Sequence, residues 1–297
     1  SVARLGPGRP DGGGGAAMSA ALGPPDLLAG RYQLERVLGT GGMGVVYRAR
    51  DLLHEAFGEP SPWVALKLLG DSLSTCPDGH VLLYSEFALT RRLRHEHVVR
   101  AFAFEVDTVR QVAFFTMEWL PGLTLDRLLL EYPDGLPWNE LQPMAVQLLD
   151  ALAYAHRAGV LHGDIKPTNI MVGEQGLCLF DFGLGHAESQ RAAGLPGLSH
   201  RRLNAWTPAY AAPELKDGGG PSVSADLYGA ARVLYELAQG RRVVEPHRTR
   251  PLPRPRRLPR RCWSALRSAL SWAATHRTVT VEQLRDSMAV THRRWFV

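Results

Sequence analysis

The sequence predicts an α+β fold of two lobes, a small β-rich one followed by a larger helical one. Two observations predict it. Between residues 32 and 119 apolar side chains alternate or come in short runs, and from residue 141 onward they recur three or four apart. At 297 residues the chain also stands near the length at which one hydrophobic core gives way to two.

In the first lobe Tyr32, Leu34 and Leu38 suggest alternation, Val45, Val46 and Tyr47 follow a run of glycines, and residues 64–69 give a third apolar run. The glycines therefore join strand to strand. Residues 51–63 lengthen the next connection and read as a surface loop. A helix is expected over 84–93, then a strand over 112–119 leading into Pro121 and Gly122, where a hinge fits. Beyond it Leu141, Ala145, Leu148, Leu152 and Ala155 make one stripe of a long helix ended by Gly159. Further helices are expected over 226–240, 263–274 and 281–288, and their simplest meaning is packing. The organisation that results is a leader over 1–29, a folded unit over 30–291 whose lobes divide at about 119/120, and a tail over 292–297.

Hydrophobic residues at 45% and charged residues at 21% describe a soluble globular protein. A net charge of +5 favours acidic partners only mildly. Cys76, Cys178 and Cys262 are odd in number and far apart, which supports neither a disulfide framework nor a zinc site. A reducing cytoplasm is the simplest setting. The longest apolar stretches are cut by charges such as Glu118, too short to span a bilayer. The Gly-, Ala- and Pro-rich leader reads as disordered, with Met18 a candidate start.

Four short strings then occur in one order: Gly39, Gly41 and Gly44; Val64-Ala-Leu-Lys67; His162-Gly-Asp164-Ile-Lys166-Pro-Thr-Asn169; and Asp181-Phe-Gly183. Moving a phosphoryl group needs amides over the phosphates, a cation on them, oxygen ligands for magnesium, and a carboxylate beside the attacking hydroxyl. Each string supplies one of these. Glycines between strands differ from a Rossmann turn, whose glycines open a helix, and no Gly-Lys-Ser/Thr marks a P-loop. Without Cβ atoms, Gly39, Gly41 and Gly44 let amides approach phosphates. Lys67 sits in an apolar strand and needs an anion. Asp164 is the candidate base, Lys166 can neutralise charge on the moving group, and Asn169 and Asp181 offer oxygens to magnesium. Any one of these could instead cap a turn, but their joint spacing argues against that.

With these strings the chain resembles the Hanks-type serine/threonine protein kinases, bacterial members above all, over about 30–291. The resemblance implies the protein kinase fold, ATP and Mg2+ as the groups bound, and Ser/Thr hydroxyls of protein substrates as acceptors. It also implies that Glu86 pairs with Lys67; alone, either would read as a solvated surface charge. The adenine pocket it implies has Leu38, Val46 and Ala65 above, Met171 below and Met117 at the rear, with Glu118 and Leu120 bonding through backbone. By the same resemblance residues 207–214 close an activation segment, Asp226 is a buried aspartate, and Arg277 pairs with Glu214 as a structural bridge.

Two departures stand out. The family usually has arginine before the catalytic aspartate, to grip a phosphate on the activation loop, whereas Gly163 stands here. Activity independent of that phosphorylation is the expectation, with Arg201 or Arg202 as the alternative phosphate ligand. Where the family has a docking helix, residues 241–261 hold nine arginines and five prolines. Proline density opposes a helix; the stretch could recruit an acidic partner, although a solvated surface is the plainer reading. No clear nucleic-acid site is visible. A signalling Ser/Thr kinase is the leading expectation, with a nucleotide-binding pseudokinase scaffold as the alternative. Kinases of small molecules generally lack the long activation segment of 184–214, and Lys166 favours Ser/Thr over Tyr by resemblance.

Overall fold

The computed structural model describes residues 26–41, 44–70, 79–182, 208–240 and 252–289. The leader up to residue 25, Cys76, Gly183, most of the activation segment with Ser189, Ser199, Arg201 and Arg202, residues 241–251 and the tail lie outside them.

The small lobe is one antiparallel sheet of β1 (Leu27–Leu28), β2 (Tyr32–Gly41), β3 (Gly44–Asp51), β4 (Trp63–Leu69), β5 (Ala101–Asp107) and β6 (Val112–Glu118). Their order is β1-β2-β3-β4-β6-β5. Side chains of β4 and β6 alternate between two cores, as a pleat of period two requires. Val64, Leu66, Leu68 and Phe114 pack with Leu34, Tyr47 and Ala49 on one face. Ala65, Phe115 and Met117 pack on the other with Leu83 and Phe87 of α2 (Gly79–Arg92). Lys67 shares the parity of Ala65, so it emerges on the α2 side.

The 51–63 connection is less irregular than expected. Asp51 accepts the N–H groups of Leu53 and His54 at 3.1 and 3.3 Å and so caps a short helix, α1 (Leu52–Ala56). The same carboxylate takes a two-pronged contact from Arg31 at 2.9 and 2.7 Å. No side chain of α1 is buried, so the segment remains a surface feature.

The large lobe begins after residue 121 with β7 (Leu123–Thr124), α3 (Leu125–Glu131) and α4 (Trp138–Arg157). The predicted stripe of α4 is buried throughout. Strands β8 (Ile170–Gly173) and β9 (Gly176–Leu179) join β7 in a small sheet. Helices α5 (Pro213–Lys216), α6 (Val223–Gln239), α7 (Arg260–Ala269) and α8 (Val281–Ala289) complete the lobe. The start of α6 lies earlier than the apolar pattern suggests because Ser222 Oγ accepts the Ala225 N–H at 3.0 Å, and Gly240 ends the helix in the left-handed region. Helix α7 is displaced toward the N-terminus relative to the expected 263–274, since Pro259 at its cap has no N–H to lose and the helical bonds start immediately after it.

Residues 252–259 form no helix, in line with their prolines. Arg254 spends its guanidinium on the Leu258 carbonyl at 2.6 Å, and Arg257 bonds the Gly135 carbonyl. The lobes also touch away from the 119–121 link: Val98 and Leu179 form a parallel bridge, with Val99 N–H on Leu179 O at 3.0 Å and Leu179 N–H on His97 O at 2.8 Å. Among the described residues no helix is long and apolar enough to cross a membrane.

Candidate active site

Strand β4 delivers Lys67 and helix α2 delivers Glu86 to one buried point. The ammonium lies 2.6 and 2.8 Å from the two Glu86 oxygens and 3.1 Å from Asp181 Oδ1, on a residue 114 positions further along the chain. Only 4% of Lys67 and 3% of Glu86 is exposed. Burial would lower the lysine pKa, but Asp181 and Glu86 together raise it above the ordinary value. For Glu86 burial dominates, Asp181 adds its repulsion, and Lys67 does not cancel them, so the carboxyl is pushed up to about 7. Desolvation inside the cleft would raise the Asp181 pKa, but the Lys67 ammonium holds it below the ordinary carboxylate value. One cation thus serves two carboxylates.

Asp181 adopts a left-handed backbone, φ 67°, rare for a residue with a Cβ. The turn separates neighbours. Phe182 is fully buried with its ring 4.7 Å from that of His162, while the Asp181 side chain keeps 36% of its surface open.

The loop after α4 is organised from below by α6. Asp226 accepts the N–H groups of His162 and Gly163, each at 2.9 Å, and meets His156 Nε2 at 2.8 Å. Burial would raise its pKa; the His156 hydrogen bond and its other partners bring it below the ordinary value. His162 Nε2 faces the Phe180 carbonyl at 2.9 Å and its Nδ1 receives the Asp164 N–H at 3.2 Å. A nitrogen facing a carbonyl must donate and one facing an N–H must accept, which fixes the tautomer with its proton on Nε2. Gly163 has φ 84°, so arginine in its place would need the left-handed conformation that glycine takes without cost.

Above this frame Lys166 Nζ stands 2.5 Å from Asp164 Oδ2. Asn169 donates its amide N–H to the Asp164 carbonyl at 2.9 Å, which leaves its amide oxygen for a cation. No group of three or more His, Cys, Asp or Glu among the described residues could hold a metal by itself. One amide oxygen and one carboxylate do fit magnesium, which takes few protein ligands and completes its shell with phosphate oxygens and water.

A cavity of about 320 Å³ runs between the lobes. Of the residues expected there, Leu38, Gly39, Val46, Ala65, Lys67, Glu86, Met117, Glu118, Leu120, Met171 and Asp181 line it. Gly41, Gly44, Asp164, Lys166 and Asn169 lie outside its lining. Glu118 already gives its N–H to Arg100 O at 2.8 Å, leaving only its carbonyl for a ligand. A Cβ built on Gly39 or Gly41 would meet nothing within 4 Å, so no packing demands glycine there and the open space suits phosphates. Gly44 differs: its Cβ would lie 2.1 Å from the Leu68 carbonyl, so this glycine is required by the β3–β4 contact. Trp119, Thr124, Arg127 and Thr168 also line the cavity, although sequence reasoning assigned none of them a role in it.

Glu214 and Arg277 form the expected bridge, with Nη2 2.7 Å from Oε2. Arg277 further donates to Ser271 O, Trp272 O and Ser224 O at 2.9, 3.1 and 3.2 Å and lies over the Tyr228 ring at 4.7 Å. His156 was missed by the motif reading. Its signal is only a histidine in the last turn of an amphipathic helix.

Comparison with known proteins gives a consistent picture. The Protein kinase domain family matches residues 32–263. Serine/threonine-protein kinase PkaA of Streptomyces coelicolor is 32% identical over 266 residues, covering 82% of this chain and 47% of that protein. The DNA damage-responsive serine/threonine-protein kinase RqkA of Deinococcus radiodurans is 34% identical over 267 residues, covering 86% of this chain and 38% of that protein. The chain therefore spans less than half the length of these relatives. Among solved structures, the kinase domain of Mycobacterium tuberculosis PknI superposes with a TM-score of 0.66 at 27% identity, over 90% of this chain and 98% of that one.

Proposed function

The chain belongs to the protein kinase family, and from that membership we propose that it transfers the γ-phosphoryl group of ATP to Ser or Thr hydroxyls of protein substrates. The observation that carries this reading is the meeting of Lys67, Glu86 and Asp181 within 3.1 Å at the cleft. Lys67 draws the triphosphate into the cavity whose apolar walls take adenine, and the flap of Gly39 and Gly41 covers the phosphates. Asp164 orients the acceptor hydroxyl and takes its proton as the new oxygen–phosphorus bond forms and the bond to the leaving ADP oxygen breaks. Lys166, already beside Asp164, offsets charge on the moving group. Asp181 and Asn169 would hold magnesium, which when bound supplies neutralisation of the phosphates. Nearly all the rate enhancement then comes from positioning and electrostatics.

Incubation of the purified chain with labelled ATP, magnesium and a protein substrate tests this, with phosphoamino-acid analysis of the product. Phosphoserine or phosphothreonine, lost in Asp164→Asn, is the expected result. Binding of nucleotide with no transfer in the parent chain would favour the scaffold instead. Gly163 supports turnover that survives Ser189→Ala combined with Ser199→Ala. At the arginine-rich 241–261 stretch, Arg254 and Arg257 serve internal carbonyls. An acidic partner would have to use the remaining arginines, and unchanged substrate binding after their neutralisation would dismiss it.

A further inference from the structure

One cluster that touches the cleft through Trp119 takes no part in phosphoryl transfer as described. The guanidinium carbon of Arg48, on β3, lies 3.8 Å from the Trp63 ring and 4.3 Å from the Trp119 ring. Trp63 opens β4 at the end of the 51–63 connection. Trp119 stands between Glu118 and Leu120, the two residues whose backbone is expected to bond adenine, and it lines the cavity itself. Val64 and Glu118 are cross-strand partners, so the two tryptophans follow one step beyond a fixed pair.

A third contact reaches Arg48 from the flap. Pairing of β2 with β3 passes from Leu34–Ala49 to Arg36–Arg48, leaving Glu35 as an extra, bulged residue. Its carboxylate lies 3.1 Å from Arg48 Nε. Bulges re-aim a side chain, and here the re-aimed acid meets the stacked cation. With only 18% of the Arg48 side chain exposed, the cation–π contacts act largely out of water, where they are strongest. A single guanidinium therefore gathers the flap strand, the 51–63 connection and the strand leaving the small lobe.

We propose that Arg48, held by Trp63 and Trp119, is a positioning residue for the nucleotide: it fixes the backbone of residues 118–120 and so sets ATP affinity rather than the rate of transfer. The inference rests on ATP being the ligand of the cleft. It assigns the 51–63 connection a reason to end in tryptophan, which packing of β4 alone does not provide.

The test uses the full chain with Arg48→Ala, Arg48→Lys and Trp119→Phe. KM for ATP is measured beside kcat, and Kd is measured directly with a fluorescent ATP analogue. Arg48→Ala is expected to raise both KM and Kd by about threefold to thirtyfold, the range that a partly desolvated cation–π contact implies. Turnover at saturating ATP and KM for the protein substrate stay within about twofold. Arg48→Lys, which keeps the charge but not the flat stacking surface, recovers part of the loss. Should Arg48→Ala not fold, Trp119→Phe gives the same reading at smaller amplitude. A folded Arg48→Ala with parental Kd, a loss confined to kcat, or a lower melting temperature without a change in Kd would each overturn the proposal. A parent that binds the analogue but transfers no phosphate sinks the kinase activity while leaving the Kd comparison decisive; a parent that binds no nucleotide sinks both.

Discussion

Two sets of buried charges in this molecule are arranged on opposite principles. At the cleft, Lys67 is shared by Glu86 and Asp181, and Glu86 has a raised pKa because burial and a second carboxylate outweigh its partner. In the large lobe, Asp226 accepts three hydrogen bonds and its pKa is lowered, while the Arg277 guanidinium serves Glu214, three backbone carbonyls and a ring. The first set is undersupplied with positive charge and open to a ligand. The second is saturated. Under the proposed function, the charges that would meet the nucleotide are left incompletely satisfied, and those that hold a loop in place are not.

The largest test of that contrast is chemical. Asp164→Asn should lower kcat by about 10²- to 10⁴-fold, the usual worth of a positioned proton acceptor, with the melting temperature unchanged. Next, Arg277→Ala should cost about 3–5 kcal/mol in urea unfolding, because it strands a carboxylate that the bridge had compensated. The pH dependence separates the sets by sign. Glu86 binds a proton more tightly folded than unfolded, so its contribution is fully present below the ordinary carboxylate pKa and is lost as pH rises to about 7. Asp226 does the reverse: its contribution is present above the unfolded pKa and is lost only as pH falls through its lowered folded value. Unfolding at about pH 5 and about pH 8 should thus differ on the order of 1–3 kcal/mol through Glu86, and Glu86→Gln should remove that contribution, leaving the opposite dependence of His95, whose pKa burial lowers. The smallest effect belongs to Gly163→Ala, about 1–2 kcal/mol for forcing a Cβ into the left-handed region, read as a shift in the urea midpoint. A neutral result there would show that the Asp226 clamp can release the loop.

Much of this was legible in advance, for reasons that are local. The α4 stripe, the flap between strands and the order of Lys67, Asp164, Asn169 and Asp181 can be read because each lies in a short stretch whose spacing carries its own geometry. The pairing of Lys67 with Glu86 and of Glu214 with Arg277 came only with the family resemblance. What stayed hidden depends on partners far apart in the chain. His156 meets Asp226 across 70 positions, and nothing in either neighbourhood announces it. Nothing in the sequence singled out Arg48, and position 119 entered only as the end of an expected strand; only the sheet brings Arg48 and Trp119 to 4.3 Å. The helix in the 51–63 connection escaped notice because its cap, Asp51, is also the last residue of β3 and is engaged by Arg31.

The bridge between Val98 and Leu179 and the chain crossing at 119–121 are two of several places where the lobes meet. Helix α2 supplies another, because it is built into both: Leu83 and Phe87 belong to the core beneath the sheet, whereas Leu89, and Leu93 just past the helix end, belong to the core of the large lobe. Tyr154 of α4 accepts the Arg94 N–H at 2.9 Å and ties down the same end. Glu86 lies between these two anchorages, so the carboxylate that holds Lys67 is fixed from both sides.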